Sequence, residues 1–355
     1  MNRFFGEKLN RLVPYVPGEQ PQDRKYIKLN TNESPFPPSP RAVEEARKEA
    51  EKLRLYSDPA CGLLTEEASK FFGIAKDEIL FGNGSDEILF FAFSAFCDSA
   101  RPAVFADITY GFYPVFADLA GVPYREIPLK DDFSIDLSSY AGEKKVVFLA
   151  NPNAPTGIAL PKAEIEVFLK SNPNILLVLD EAYVDFGAES CLDLIRSFDN
   201  LLVVQTFSKS RSMAGARLGF AAGNKELIRG LNTIKYSLNP YNVNRMTAAA
   251  GIGALRDEAY TASNCRKIVE NREYTLRELK KLGFHLTDSK ANFLFAEHPD
   301  LDGEKFYLAL KAKGVLVRHF GKERIQKRVR ITIGTIEEMQ AFLQAAREIL
   351  NDHRT

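Results

Sequence analysis

Nothing in this 355-residue chain offers a disulfide framework, a metal cluster, a surplus of charge or an apolar run of membrane length. The four cysteines, Cys61, Cys97, Cys191 and Cys265, are scattered, and no two form a C-x-x-C pair. Such spacing reads as reduced thiols of a cytoplasmic protein. The four histidines, His285, His298, His319 and His353, are dispersed and late, so neither a metal site nor a Ser-His couple is visible. Lys+Arg 47 balances Asp+Glu 47. No basic excess is left to condense on nucleic acid or an anionic membrane. The most apolar stretch, residues 88–97, falls far short of the ~20 residues that span a bilayer. Residues 1–10 carry no apolar core of signal-peptide length. The expectation is a cytoplasmic globular protein, long enough for two domains.

What the chain does have is a layered pattern. Between residues 79 and 223, short apolar strands alternate with amphipathic stretches at 86–96, 113–120 and 162–170. The strand candidates are 79–81, 103–107, 124–129, 146–150, 175–180, 201–207 and 218–222. Several are solidly apolar rather than alternating, as in strands buried on both faces of a mainly parallel sheet. This predicts an α/β fold with a seven-stranded large domain over 30–240. From 241 to 355 the pattern becomes a smaller α+β domain. A helical region runs from 244 to 282, strands follow at 292–296, 316–318 and 329–333, and a helix closes the chain at 336–350. Residues 11–40 are rich in proline and asparagine and lack a period. The N-terminal segment 1–29 is read as an arm packing near the smaller domain.

Ligands of open α/β sheets gather at the carboxyl ends of strands, and four polar clusters fall there. They begin at Asn83, Asn151, Asp180 and Thr206. Gly84, Ser85 and Asp86 lie between a strand and a helix, where free N–H groups and the helix dipole suit a phosphate. Alone, this motif reads better as a plain N-cap by Ser85 or Asp86. Asp180 ends a strand of aliphatics, Leu176-Leu177-Val178-Leu179. A carboxylate there is costly to bury unless it meets a cation, such as a pyridinium nitrogen. Its plain alternative is a carboxylate that caps the following turn. Lys209 has hydroxyls beside it, on Thr206 and Ser208, and Arg217 eight residues on. Together these would hold a phosphate and depress the lysine pKa into the range of a usable nucleophile.

The ordered set Gly84-Ser85-Asp86, Asn151-Pro152-Asn153-Ala154-Pro155-Thr156-Gly157, Asp180-Glu181-Ala182-Tyr183, Ser208-Lys209 and the Arg217 segment resembles the fold-type-I pyridoxal-phosphate aminotransferases. Within them it is most similar to the histidinol-phosphate aminotransferases. Leu12-Val13-Pro14-Tyr15, Leu29-Asn30-Thr31-Asn32-Glu33-Ser34-Pro35, Leu55-Tyr56-Ser57-Asp58-Pro59 and Val329-Arg330-Ile331-Thr332-Ile333-Gly334-Thr335 extend the likeness along the chain.

The resemblance implies that Lys209 carries pyridoxal 5'-phosphate as a Schiff base. Asp180 would pair with the ring nitrogen and Tyr183 with the phenolic oxygen, while Tyr110 stacks on the ring. Gly84, Ser85, Asp86, Thr206, Ser208 and Arg217 would bind the phosphate, with Tyr56 arriving from the other subunit of a homodimer. Arg330 would meet the substrate's anionic group, helped by Tyr15, Asn32, Asn292 and Arg318. The implied substrates are L-histidinol phosphate, a phosphorylated amino alcohol, and 2-oxoglutarate. No metal, nucleic acid or membrane is implied. A threonine-phosphate decarboxylase or an aromatic-amino-acid aminotransferase stays open, as does, further off, a regulator that senses the cofactor.

Two positions depart from the family. Leu55 stands where arginine is usual. Ala154 stands where an asparagine contacts the phenolic oxygen, so either Asn153 supplies that contact or Tyr183 carries it.

Overall fold

The computed structural model describes residues 3–354. In chain order its strands are β1 (Ile27–Lys28), β2 (Ile79–Asn83), β3 (Ala103–Ala106), β4 (Tyr124–Ile127), β5 (Val146–Ala150), β6 (Leu176–Asp180), β7 (Leu201–Thr206) and β8 (Leu218–Gly223), followed by β9 (His285–Leu286), β10 (Phe293–Glu297), β11 (Val315–Leu316), β12 (Arg318–His319) and β13 (Val329–Thr332). The large sheet has seven strands in the order β2-β8-β7-β6-β5-β3-β4. Strands β3 to β7 pair in parallel, and β8 runs antiparallel to both β7 and β2.

Strict alternation of buried side chains builds this sheet. Val147, Leu149, Leu177, Leu179, Leu201 and Val203 pack into one core layer. Their neighbours Val146, Phe148, Val178, Leu202 and Val204 pack into the layer on the opposite face. Both faces are therefore covered, as the apolar runs demand. The exception is β4, whose Tyr124, Arg125 and Glu126 are exposed. Charged residues on an edge strand discourage pairing with another chain.

A second core surrounds the antiparallel sheet β12-β13-β10-β9. It includes Leu29 from the N-terminal arm and Phe186 from beyond β6. The arm adds β1 in parallel to β11, and Arg318 donates hydrogen bonds to the carbonyls of Val16 and Pro17. The arm thus lies on this second core.

Several boundaries differ from those expected. The helical region from 244 to 282 is two helices, Arg245–Leu255 and Glu258–Lys281, separated at Arg256 and Asp257. The first packs into the core of the large sheet through Ala250, Ala254 and Leu255. The strand expected at 316–318 is divided, because β11 pairs with the arm while β12 pairs with β13. Helices Pro40–Ala50, Lys225–Leu238 and Gly303–Ala312 carry N-cap signals that sequence reading passed over. Ser39 accepts from the Ala42 N–H, Asn224 from Glu226 and Asp302 from Lys305. Among the described residues, no helix is long and apolar enough to cross a membrane.

Candidate active site

The topology places the polar clusters on one edge. Strands β2, β3, β5, β6 and β7 end there, and β8, being antiparallel, begins there with Arg217 just before it. The clusters line a cavity of about 320 Å³. Ser85, Asp86, Tyr110, Asp180, Tyr183, Thr206, Ser208, Lys209 and Arg217 all face it. An outer lobe of about 540 Å³ shares Tyr110, Tyr183 and Lys209 and adds Tyr15, Asn32, Arg318 and Arg330.

Asp180 is 4% exposed at the end of β6. The Tyr113 hydroxyl donates to its Oδ2 at 3.1 Å and the Ala182 N–H to its Oδ1 at 3.2 Å. Burial nevertheless pushes its carboxyl up to about 7. A buried carboxylate so raised lacks a cationic partner. The Lys209 amine lies 3.5 Å from the Thr31 carbonyl and 5.8 Å from the centre of the Tyr183 ring. Burial brings it down to about 8, aided by the charges of Arg330 and Arg217 and opposed by Asp86 and Glu33. The ammonium form still predominates near pH 7, but roughly a tenth of the amine is then free, far more than for an ordinary lysine.

Other groups lining the inner lobe suit an anion. Helix Gly84–Phe96 starts there, and Gly84 at φ +79° leads into it. A Cβ at residue 84 would collide with the Arg217 guanidinium, so glycine lets the arginine lie across the helix start. A Cβ on Gly219 would come within 2.6 Å of the Ser85 nitrogen, so a second glycine lets that helix approach β8. The Thr206 hydroxyl lies 3.0 Å from that of Ser208.

The Asp86 side chain is already paired within the folded chain. Its carboxylate accepts from Tyr110 Oη at 2.7 Å and pairs with Arg217 Nη2 at 3.0 Å. An anion offers a phosphate no donor, so the side chain orients Arg217 and Tyr110. Only its backbone N–H is left to face a phosphate.

Besides Gly84, whose place at the helix start is given above, three expected residues stand outside the cavity lining. Asn153 is buried, donating to the Ile108 carbonyl and Thr156 Oγ1 and accepting from Thr109 Oγ1. Its amide is committed to bracing the loop, and Ala154 presents its methyl group to the cavity instead. Asn292 sits behind the lining, where its Nδ2 donates to the Asn32 carbonyl at 3.1 Å. Tyr56 is 80% exposed and stacks on Tyr241 at 4.6 Å. Conversely, Thr31, Glu33 and Tyr113 touch the site without having been singled out. The first two lie inside the 29–35 segment around Asn32, whereas Tyr113 opens the amphipathic stretch at 113–120 with nothing in the sequence to mark its hydroxyl for the site.

Asn32 is a junction between the two lobes. Its Nδ2 donates to Tyr183 Oη at 2.9 Å, and its Oδ1 accepts from Thr332 Oγ1 at 3.0 Å. It adopts φ +56°, which asparagine tolerates better than most residues. In the outer lobe Arg330 Nη2 donates to the Asn30 carbonyl at 3.0 Å, while its Nε is buried without a partner. Tyr15 stacks on Phe112 at 4.2 Å.

These features fit pyridoxal 5'-phosphate. A buried acid short of a cation faces one part of the cavity, and hydroxyls, an arginine and a helix N-terminus face another. A lysine with a lowered pKa lines the same cavity. Ala154 gives one expected outcome. Ala154→Asn adds an amide to the cavity wall, and the pH midpoint of the bound cofactor's visible absorption shifts downward, because a donor near the phenolic oxygen favours its anionic form. An unchanged midpoint in a spectrophotometric titration means that Tyr183 already meets this need.

The profile of aminotransferases of class I and II matches residues 24–345. The chain is 49% identical over 353 residues to the histidinol-phosphate aminotransferase of Marinomonas sp. (strain MWYL1), covering 98% of this chain and 100% of that one. It is 47% identical over 355 residues to the enzyme of the same name from Brachyspira hyodysenteriae, covering 99% and 100%. Among solved structures, histidinol-phosphate aminotransferase from Sinorhizobium meliloti in complex with pyridoxal-5'-phosphate superposes with a TM-score of 0.89 at 24% identity, covering 99% of each chain. That likeness is one of fold, and the sequence matches carry the rest: the chain belongs to the aminotransferase class I and II family, among the histidinol-phosphate aminotransferases.

Proposed function

We propose that this aminotransferase moves the amino group of L-histidinol phosphate to 2-oxoglutarate, giving imidazole-acetol phosphate and L-glutamate in histidine biosynthesis. The observation that carries the substrate reading is the outer lobe. There the buried, unpartnered Nε of Arg330 lies beside Tyr15 and Arg318, against the lobe that suits the cofactor. A guanidinium with a free N–H is suited to a phosphate.

In this reading Ser85, Thr206, Ser208 and Arg217 hold the cofactor's phosphate, and Asp180 keeps the ring nitrogen protonated. Tyr110 and Tyr183 border the ring. The bound cofactor supplies an electron sink for the bond broken at the substrate's reacting carbon. Lys209 Nζ takes up the proton that leaves this carbon and returns it later in the cycle, as general base and then acid. A pKa of about 8 keeps both forms accessible near neutrality. Arg330 anchors the substrate's phosphate, and the arm carrying Tyr15 covers the lobe.

The division into a large domain at 30–240, a small one at 241–355 and an arm at 1–29 belongs to the same proposal, with helix Arg245–Leu255 reaching back from the second segment into the core of the large sheet and the site between the two domains. So does a homodimer in the cytoplasm. Tyr56 is too exposed to serve its own cavity and is offered to that of a second copy. All four cysteines are free and buried, which suits a reducing compartment.

The test is a half-reaction. Cofactor-loaded enzyme mixed with L-histidinol phosphate, without acceptor, should lose its visible band as the amino group passes to the cofactor. An unchanged band removes this substrate, and carbon dioxide released from threonine phosphate would then identify a decarboxylase.

A further inference from the structure

Arg272, on helix Glu258–Lys281, lines neither lobe of the site and is only 3% exposed. Its Nη1 donates to two carbonyls at once, Phe186 at 2.7 Å and Ala291 at 2.8 Å. Its Nε and Nη2 reach Glu273 Oε1 at 3.2 and 3.1 Å. Both hydrogens of Nη1 are thus committed to backbone oxygens from distant parts of the chain.

Those oxygens close a circuit on the cofactor cavity. Phe186 ends the short turn Val184–Phe186, which Tyr183 opens. Gly187 at φ +126° turns the chain away directly afterwards, leaving the Phe186 carbonyl to the arginine. Ala291 precedes Asn292, whose Nδ2 holds the Asn32 carbonyl, and Asn32 Nδ2 holds Tyr183 Oη. Tyr183 is therefore gripped twice, at its backbone through Phe186 and at its hydroxyl through Asn32. Arg272 joins the two grips. The circuit also crosses between the cores, because β6 belongs to the large sheet while Ala291 leads into β10. Phe293 sets the third side, its ring edge-on to Tyr183 at 5.1 Å and 89°.

We infer that Arg272 is a positioning residue for amino transfer, fixing the Tyr183 hydroxyl against the cofactor by clamping the Phe186 and Ala291 carbonyls together. This rests on the reading that Tyr183 meets the cofactor's phenolic oxygen. A planar guanidinium sets the spacing of two acceptors, whereas an ammonium on a shorter stem does not. A residue that only stapled the helix would alter stability and leave the cofactor's electronics untouched.

The experiment titrates the visible absorption of three cofactor-loaded proteins: the parent, Tyr183→Phe and Arg272→Lys. Removing the Tyr183 hydroxyl should raise the pH midpoint, because a donor to the anionic oxygen is lost. Arg272→Lys should move it in the same direction, lowering kcat roughly 10- to 100-fold with KM for the amine little changed. A midpoint that moves in Tyr183→Phe but not in Arg272→Lys overturns the inference while sparing the Tyr183 contact. A midpoint that moves in neither overturns the Tyr183 contact and the inference with it. If Arg272→Lys does not accumulate folded, Asn292→Ala opens the same circuit one link further on. Its midpoint should also rise, and an unmoved one rejects the circuit.

Discussion

Lys209→Ala should abolish the visible band of bound pyridoxal phosphate and lower turnover by about 10⁴-fold or more. Two functions leave together: the amine that bonds the cofactor and the base that moves the proton. General acid–base catalysis alone contributes about 10²- to 10⁴-fold. The amine is also costly where it stands, because burial and the neighbouring arginines bring it down to about 8. A lysine whose folded pKa is depressed destabilises the protein below that pKa, and the penalty fades as pH rises toward the unfolded value. At pH 7 the cofactor-free variant should therefore melt no lower than the parent. Full loss of turnover with an unchanged or raised Tm identifies a residue kept for chemistry. Turnover within a hundredfold of the parent rejects its role.

Asp180→Asn should slow turnover by about 10³-fold, which corresponds to roughly 4 kcal/mol lost from a buried charge pair. The amide cannot hold a proton on the ring nitrogen, so the electron sink weakens although the shape of the site is kept. The cofactor-free protein should respond in the opposite sense. Burial raises the Asp180 carboxyl from 3.8 to about 7. An acid raised on folding binds more protons in the native state, so its cost appears as pH climbs from 4 and is complete above 7. At pH 8 the apo variant should be more stable than the apo parent, by an amount on the order of a few kcal/mol. Near pH 4 the two should converge. Calorimetry at the two pH values, with kcat alongside, checks both halves. A rate within a few-fold of the parent would sink the electron-sink reading.

The opposed effects share a cause. Asp180 and Lys209 are both buried at a charge cost and both line one cavity, so each depends on a group that the folded chain alone does not provide. Arg330 Nε is a third instance, buried without a partner in the adjoining lobe.

Much of this was legible in the sequence because it is local. Solid apolar runs marked the strands of the large sheet, and their polar ends marked Asp180, Lys209 and Arg217. Period and composition act over a few residues, so a strand and its terminal side chain are written side by side. Boundaries suffered where local signals compete. Asp257 breaks a helical pattern without a proline or glycine, and residues 315–319 change strand partner midway.

What the tertiary structure alone decided is where side chains point and what they spend their hydrogen bonds on. Asn153 and Asp86 both stand at the strand-end clusters that the sequence marks. Yet one turns away to brace a loop, and the other is an anion that orients Arg217 rather than holding a phosphate. The roles of Tyr113 and Arg272 left no local trace, since Asp180 lies 67 residues from the one and Phe186 86 residues from the other, and even Ala291 is 19 residues beyond Arg272. The sequence by itself determined the sheet, its active edge and the charged groups gathered there, because alternation and strand ends are short-range. The fold decided which of those groups face the cavity and which hold the others in place, because hydrogen-bond partners hundreds of residues apart meet only when both cores have formed.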